Sequence, residues 1–236
     1  MCDTNYEKYC LWTIESTTFI PLCPILATGE ARLLNKPVEN SQLGMADQVA
    51  ALCRSCFFQL CQLRTVRSSL TDDAVVTLKI HAFISSRLDY CNSLRVGVGE
   101  GLLQKIQRVQ NAAARLVTGT RKYEHITPVL RALRWLPVRQ RIVFKIATLV
   151  YKCLHNLAPS YLADELLPLE SVPGRRQLRL ASNLELFIPR TRTISFGPWA
   201  FAVCGPTIWN SLPSELRDPD LTVCAFARKL KTFLFV

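Results

Sequence analysis

The sequence predicts a mainly α-helical protein, with a bundle-like helical core and a small β-hairpin element in its C-terminal third. Apolar residues recur at three- and four-residue spacings in several segments between residues 45 and 167, and this spacing is the period of an amphipathic helix. Threonine or proline stands where several of these segments begin, and both residues are favoured at helix N-termini. Hydrophobic residues make up 49% of the 236 residues and charged residues 20%, which favours a folded core over a disordered chain.

The first two predicted helices begin near Met45 and Thr71. Thr71 is expected to cap the second helix, with Asp72 and Asp73 in its first turn, where negative charge interacts favourably with the helix dipole. We therefore interpret this pair of carboxylates as part of a helix start and not as a metal-binding pair. The apolar face of the first helix consists of Val49, Leu52, Cys56, Leu60 and Leu63.

A helix with one apolar face and one basic face is predicted in the stretch 102–120. Gly119 follows the last periodic residue, where a left-handed C-cap is expected. Arg108 and Arg115 lie opposite the apolar stripe, with Lys105 beside them. This side is either a solvated face or a surface that meets phosphate groups. The apolar stripe consists of Leu102, Ile106, Val109, Ala113 and Leu116.

Two further helices are predicted to begin at prolines. Thr127 is expected to cap the first, with Pro128 at its first helical position, and Pro137 stands just inside the start of the second. The second helix has a core stripe and a separate basic face. The core stripe consists of Ile142, Ile146, Leu149 and Cys153, and the basic face of Arg141, Lys145 and Lys152.

The C-terminal third is predicted to contain a loop, an extended segment and two helices. Residues 170–183 read as a loop, and residues 184–196 favour extended structure with a small hairpin near Pro189. Residues 199–210 should be helical, with Gly205 and Pro206 disturbing the helix. Thr222 can cap a last helix, whose inward residues would be Val223, Phe226, Leu230 and Phe233.

These elements divide the chain into a poorly ordered leader (1–44), a helical domain (45–168) and a C-terminal tail with loop, short strands and helices (169–236). The net charge of +11 is uneven, at −2, +9 and +4 for the three parts. An excess of positive charge in the middle and the tail suits a polyanionic partner. No apolar stretch is long enough to span a membrane, and no secretory signal stands out. We therefore expect no membrane association and a cytoplasmic or nuclear location.

The sequence carries no recognisable catalytic or metal-binding motif. The ten cysteines are scattered, and "CRSC" at residues 53–56 is the one pair with metal-ligand spacing, without a second pair or a histidine nearby. We therefore expect free thiols, no metal and no cofactor. Nucleotide-binding glycine loops, zinc-protease motifs and the serine-hydrolase elbow are all missing from the sequence. We therefore predict that the protein is not an enzyme.

Several phrases of the sequence resemble one known family in the expected order. They are "SSRLDYCNSL" (85–94), the long run from "LLQKIQRVQ" to "YLADEL" (102–166), "VPGRRQLR" (172–179), "IPRTRT" (188–193) and "AFAVCGPTIWNSLPSELR" (200–217). Together they resemble the C-terminal, thumb and tail portion of reverse transcriptases from LINE-type, non-LTR, jockey-like retrotransposons. The resemblance covers about residues 40–235. Arg95, Pro198 and Trp199 depart from the usual pattern of that family.

The resemblance implies a thumb-like helical domain at 45–168 that grips RNA or RNA–DNA duplex, weakly and without sequence preference. The palm's catalytic F/YADD motif is not in this sequence, so a non-catalytic remnant of an RNA-directed DNA polymerase is expected, and the missing polymerase domain is a candidate partner. The alternative is an inert or protein-interacting helical domain from a decayed mobile-element copy. The candidate nucleic-acid-binding residues are Lys105, Arg108, Arg115, Arg121, Lys122, Arg141, Lys145, Lys152, Arg175, Arg176, Arg190 and Arg192.

Overall fold

The computed structural model describes residues 44–69, 86–90, 92–171, 184–191 and 197–235, and this part of the chain is mainly helical, as predicted. Met45–Val236 forms one compact unit. Apart from Gly44, the predicted leader lies outside the described residues, as does the helix start at Thr71, Asp72 and Asp73. The described helices are α1 (Met45–Val66), α2 (Ser86–Asp89), α3 (Glu100–Thr118), α4 (Ile126–Ala132), α5 (Val138–Leu154), α6 (Ser160–Ala163), α7 (Phe201–Asn210) and α8 (Val223–Phe233).

Helices α1 and α3 pack against each other and are joined at their C-terminal ends. Arg67, directly after α1, donates from Nη1 to the carbonyl oxygens of Leu116 and Val117 in the last turn of α3. Carbonyls in a last helical turn have no donor within the helix, so this arginine caps α3 and ties it to α1. Of the predicted α1 face, Leu52 is half-buried and the other four residues are buried.

Helix α5 is the centre of the fold. It contacts α3 on one side and α6, α7 and α8 on others. Its four predicted core residues are all buried, and a further group beside them is buried as well. A helix that is buried on most of its circumference is expected at the centre of a protein. The additional buried residues are Val138, Ala147, Thr148, Val150, Tyr151 and Lys152.

Helix α8 is attached to α5 by aromatic side chains. The Phe226 ring is completely buried and stacks on Tyr151, with 4.4 Å between ring centroids, and Trp209 of α7 lies 5.9 Å away. The predicted N-cap is confirmed, because Thr222 Oγ1 accepts a hydrogen bond from the Ala225 amide. The predicted inward face is narrower than expected, since Phe233 is exposed.

The predicted β-hairpin is not found in the described part of its range, residues 184–191. Leu186 forms an isolated antiparallel bridge with Pro168, and its amide and carbonyl pair with the side-chain amide of Asn210, at 3.0 and 2.8 Å. The indole of Trp209 donates to the Leu184 carbonyl oxygen. Side chains of α7 therefore occupy the backbone groups that a second strand would need, and Pro189 has no amide hydrogen to donate.

Two glycines, one before α3 and one in α7, allow close packing between distant parts of the chain. Gly97 has a φ of +73°, and a Cβ built on it would overlap the Trp199 indole ring. A Cβ on Gly205 would lie 3.1 Å from Val150 Cγ2, so Gly205 lets α7 approach α5 closely. Helix α7 continues through Pro206 to Asn210, so this proline does not end the helix.

Candidate nucleic-acid interface

Helix α3 has the two faces that its sequence predicts, although the buried face is wider. Ile106, Val109 and Ala113 of the predicted stripe are buried, whereas Leu102 and Leu116 are only half-buried. The face is wider because α3 packs against α1, α4 and α5 at once. The residues buried in addition are Leu103, Gln110, Ala114 and Val117.

A buried polar network fixes the start of α5 against α3. Gln107 Oε1 accepts the Val138 amide at 2.8 Å, which satisfies a donor in the first turn of α5. The Gln110 side chain, 1% exposed, donates to the Leu136 carbonyl and accepts from Gln107. The sequence analysis missed this network, because a glutamine beside an apolar stripe gives no sign of its partners. The network links the helix with the exposed basic residues to the start of the central helix.

The exposed side of α3 carries Lys105 and Arg108, one turn apart. Arg115, two further turns along, is half-buried and donates from Nη2 to the Glu124 carbonyl at 3.2 Å. It therefore holds the loop that follows the helix, in addition to carrying charge. The predicted cap is confirmed: Gly119 is left-handed, with φ 69°, and its amide donates to the Arg115 carbonyl at 2.9 Å.

The loop between α3 and α4 adds two exposed cations, Arg121 and Lys122. Arg121 Nη1 donates to the Tyr123 hydroxyl at 2.8 Å, and the Tyr123 side chain is 76% exposed. The Glu124 amide donates a hydrogen bond to the Arg121 carbonyl oxygen, which closes a turn. We call Lys105, Arg108, Arg121 and Lys122 the basic row, and residues 121–123 the loop tip.

Few negative charges accompany the basic row. Residues 100–154, which include α3, α4 and α5, have 11 lysines and arginines and two acidic residues, Glu100 and Glu124. The net charge of this segment is therefore positive, which would attract a polyanion. Arg131 of α4 is also exposed. It was missed at the sequence level, and its place on a helix that packs on α3 adds it to the same basic region.

The second predicted basic face, on α5, is corrected by the structure. Arg141 forms a two-bond ion pair with Asp89, Nε to Oδ1 at 2.9 Å and Nη2 to Oδ2 at 2.6 Å. Lys152 is only 5% exposed, and burial together with the charge of Lys145 lowers the pKa of its amine. Lys145 is half-buried. These side chains share a helical face, but that face is covered by other parts of the fold and does not offer an exposed stripe.

The remaining predicted residues lie in the C-terminal third. Arg190 is exposed, on the segment that Asn210 and Trp209 hold against α7. Arg175, Arg176 and Arg192 lie outside the described residues. The structure thus places Lys105, Arg108 and Arg115 along α3, and Arg121 and Lys122 in the loop that follows it.

The cysteine pair of "CRSC" lies in the middle of α1. Cys56 is buried and Cys53 half-buried, and burial raises the pKa of both thiols, partly offset by nearby cations such as Arg95. A raised thiol pKa disfavours the thiolate that metal binding and nucleophilic chemistry require. Within the described ranges, no group of three or more histidine, cysteine or acidic side chains is arranged to hold a metal ion.

None of the helices in the described part of the chain combines the length and the apolar character that a membrane span requires. No protein-family model, no curated protein and no solved structure matches this chain.

Proposed function

We propose that the chain is a non-catalytic portion of a retrotransposon reverse transcriptase that binds the backbone of RNA or RNA–DNA duplex, weakly and without sequence preference. One observation carries the proposal: the basic row is exposed on the outer side of α3 and its loop, while the opposite side of α3 is buried in the core. The family resemblance of the sequence supports the same reading. We also propose that the chain does not polymerise nucleotides, because the palm motif that binds catalytic metals is missing from its sequence.

The spacing of the basic row suits a phosphate backbone. Lys105 and Arg108 are about 4.5 Å apart along the axis, and the loop tip follows roughly 20 Å from Lys105, at a rise of about 1.5 Å per residue. A duplex carries one charge per roughly 1.7 Å of its axis, so several phosphates fall within this length. Lysine and arginine contacts to phosphate give affinity and orientation but carry no direct information about base sequence.

A second function, protein docking, is favoured by a different surface. Phe57 and Phe58 on the outside of α1 are 41% and 62% exposed. Adjacent exposed aromatic side chains are more common at interaction sites than on inert surfaces. A helical domain that binds another protein, such as the rest of a polymerase, would use this face. An inert domain would bind neither nucleic acid through the basic row nor another protein through Phe57 and Phe58.

The test is the salt dependence of RNA binding by the double variant Lys105→Gln/Arg108→Gln. Both side chains are exposed, and glutamine is a good helix former, so the fold should be retained. Each lost duplex contact should lower the slope of log affinity against log salt by about 0.9, which corresponds to roughly tenfold in affinity at ~0.1 M salt. We expect a slope smaller by about 2 and an equal loss for unrelated duplex sequences.

The matched control is Arg228→Gln/Lys229→Gln, which removes the same charge from α8, outside the candidate interface. The control variant should reduce the slope of log affinity against log salt much less than the interface variant does. Equal effects of the two variants would indicate a diffuse attraction to net charge and contradict the proposed site. Absence of salt-dependent binding by the folded wild-type protein would reject nucleic-acid binding and leave the protein-docking function.

A further inference from the structure

We propose that Tyr123 is a stacking platform for an unpaired base, so that the loop tip binds single-stranded nucleic acid in preference to duplex. This inference rests on the proposed function and deepens it, because it assigns a second kind of contact to the same interface. Phosphate contacts alone attract any nucleic acid, whereas an aromatic face requires a base that is not already stacked on both sides.

The first support is the exposure of the Tyr123 ring. At 76% it exceeds every other exposed large apolar side chain in the described part of the chain. A tyrosine ring in water leaves a large apolar surface unburied. Tyr123 lies in the turn between α3 and α4, directly after Arg121 and Lys122 of the basic row, and these cations make a nucleic acid the partner that matches the neighbouring charge.

The second support is that the ring is held in place before any ligand binds. The Tyr123 hydroxyl accepts a hydrogen bond from Arg121 Nη1, and the backbone turn is closed by the Glu124 amide on the Arg121 carbonyl. Arg115 fixes the same turn from α3 through the Glu124 carbonyl. A loop fixed at several points loses less conformational entropy on binding, which favours the bound state.

The third support is the combination of residues in consecutive positions. Arg121 uses one donor on Tyr123 and has further guanidinium donors for a phosphate, and Lys122 adds an ammonium group. A nucleotide whose base stacks on Tyr123 would have its phosphate next to these cations. Single-strand-binding proteins combine these two elements, a basic track for the backbone and aromatic side chains for the bases.

The experiment measures binding of the full chain to an unstructured oligouridine and to an RNA duplex of the same length. Tyr123→Ala should weaken oligouridine binding by about tenfold, within the range known for one stacked base. The salt slope should stay unchanged, because no phosphate contact is lost. Tyr123→Phe keeps the ring and loses only the hydrogen bond from Arg121, so its loss of oligouridine affinity should be much smaller than that of Tyr123→Ala. Duplex affinity should be the same for all three proteins.

Arg121→Gln is the matched variant for the phosphate contact. It should lower the salt slope, by about 0.7 for the single strand and about 0.9 for the duplex. The stacking proposal would be overturned if Tyr123→Ala lost the same affinity for both ligands or lost none for either. It would also be overturned if Tyr123→Phe lost as much affinity as Tyr123→Ala. In each case the slope change of Arg121→Gln would still support phosphate binding. If the wild-type protein binds neither ligand, the proposed function itself fails and the stacking contact fails with it.

Discussion

Replacing Phe226 by alanine tests whether the C-terminal helix is an integral part of the core. The Phe226 side chain is fully buried between Tyr151 of α5 and Trp209 of α7. Removing such a ring loses its transfer free energy and leaves a cavity, which together cost about 3–5 kcal/mol in comparable cores. A protein of this size has about 5–15 kcal/mol of stability in total. The substitution should therefore remove a large share of it, and lower Tm by roughly 6–20 °C.

The assay is urea unfolding followed by tryptophan fluorescence and by far-ultraviolet circular dichroism. Phe233→Ala on the same helix is the matched control, since that side chain is 44% exposed and should cost about 1 kcal/mol or less. Phe226→Leu should cost about 1 kcal/mol and keeps the comparison measurable if the alanine variant is unfolded. We expect both probes to report one transition in every variant, because α8 packs directly on α5.

Similar losses of unfolding free energy in the Phe226 and Phe233 alanine variants would refute the packing of α8 against α5. A first transition in the fluorescence of the Phe226 variant, with the helical signal lost only at higher urea, would refute the single cooperative unit. It would also support the predicted division into a domain at 45–168 and a tail at 169–236.

Two other predictions concern a thiol and a glycine. Burial raises the pKa of the Cys153 thiol from 9.0 to about 11, so the unfolded chain loses this proton first, and the unfolding free energy should fall as pH rises from about 9 to 11. In Cys153→Ala, the decrease in unfolding free energy between pH 8 and pH 10, measured by urea titration, should be smaller by about 1 kcal/mol. An unchanged pH dependence would contradict the burial of this thiol. Gly97→Ala should destabilise by about 1–3 kcal/mol, because the backbone there is left-handed and a Cβ would displace the Trp199 ring. Gly101→Ala in the first turn of α3 should instead stabilise by about 0.5 kcal/mol, and a thermal melt in which both variants shift the same way would refute the packing on Gly97.

The helices could be predicted from sequence because their signals are local. Ile142, Ile146, Leu149 and Cys153 repeat at the helical period, and all four are buried. Gly119 and Thr222 have the residue types that helix ends favour, and both act as caps. These predictions needed only neighbours within one or two turns.

The environment of a helical face could not be predicted in the same way. Lys152 shares a face with Arg141 and Lys145, which reads as a solvated basic stripe, but helices distant in sequence cover α5. The absence of a hairpin in residues 184–191 has a similar cause. The backbone of Leu186 pairs with the side chain of Asn210, and the neighbouring backbone groups pair with Leu167 and Leu169, which lie outside the predicted hairpin. Tyr123 did carry a local signal, since it is an aromatic residue next to two cations, four residues after the helix cap Gly119.

The position of Tyr151 has a consequence for the synthesis of the chain. Its hydroxyl donates to the carbonyl oxygen of Leu221, and its ring stacks on Phe226, more than seventy residues later in the chain. While the ribosome is still translating that last stretch, α5 is already made but one of its sides has nothing to cover it. Incomplete chains with such exposed surface are prone to aggregate. A premature stop codon before Thr222 would make that state permanent, so a chain that lacks α8 should not accumulate as folded protein in the cell.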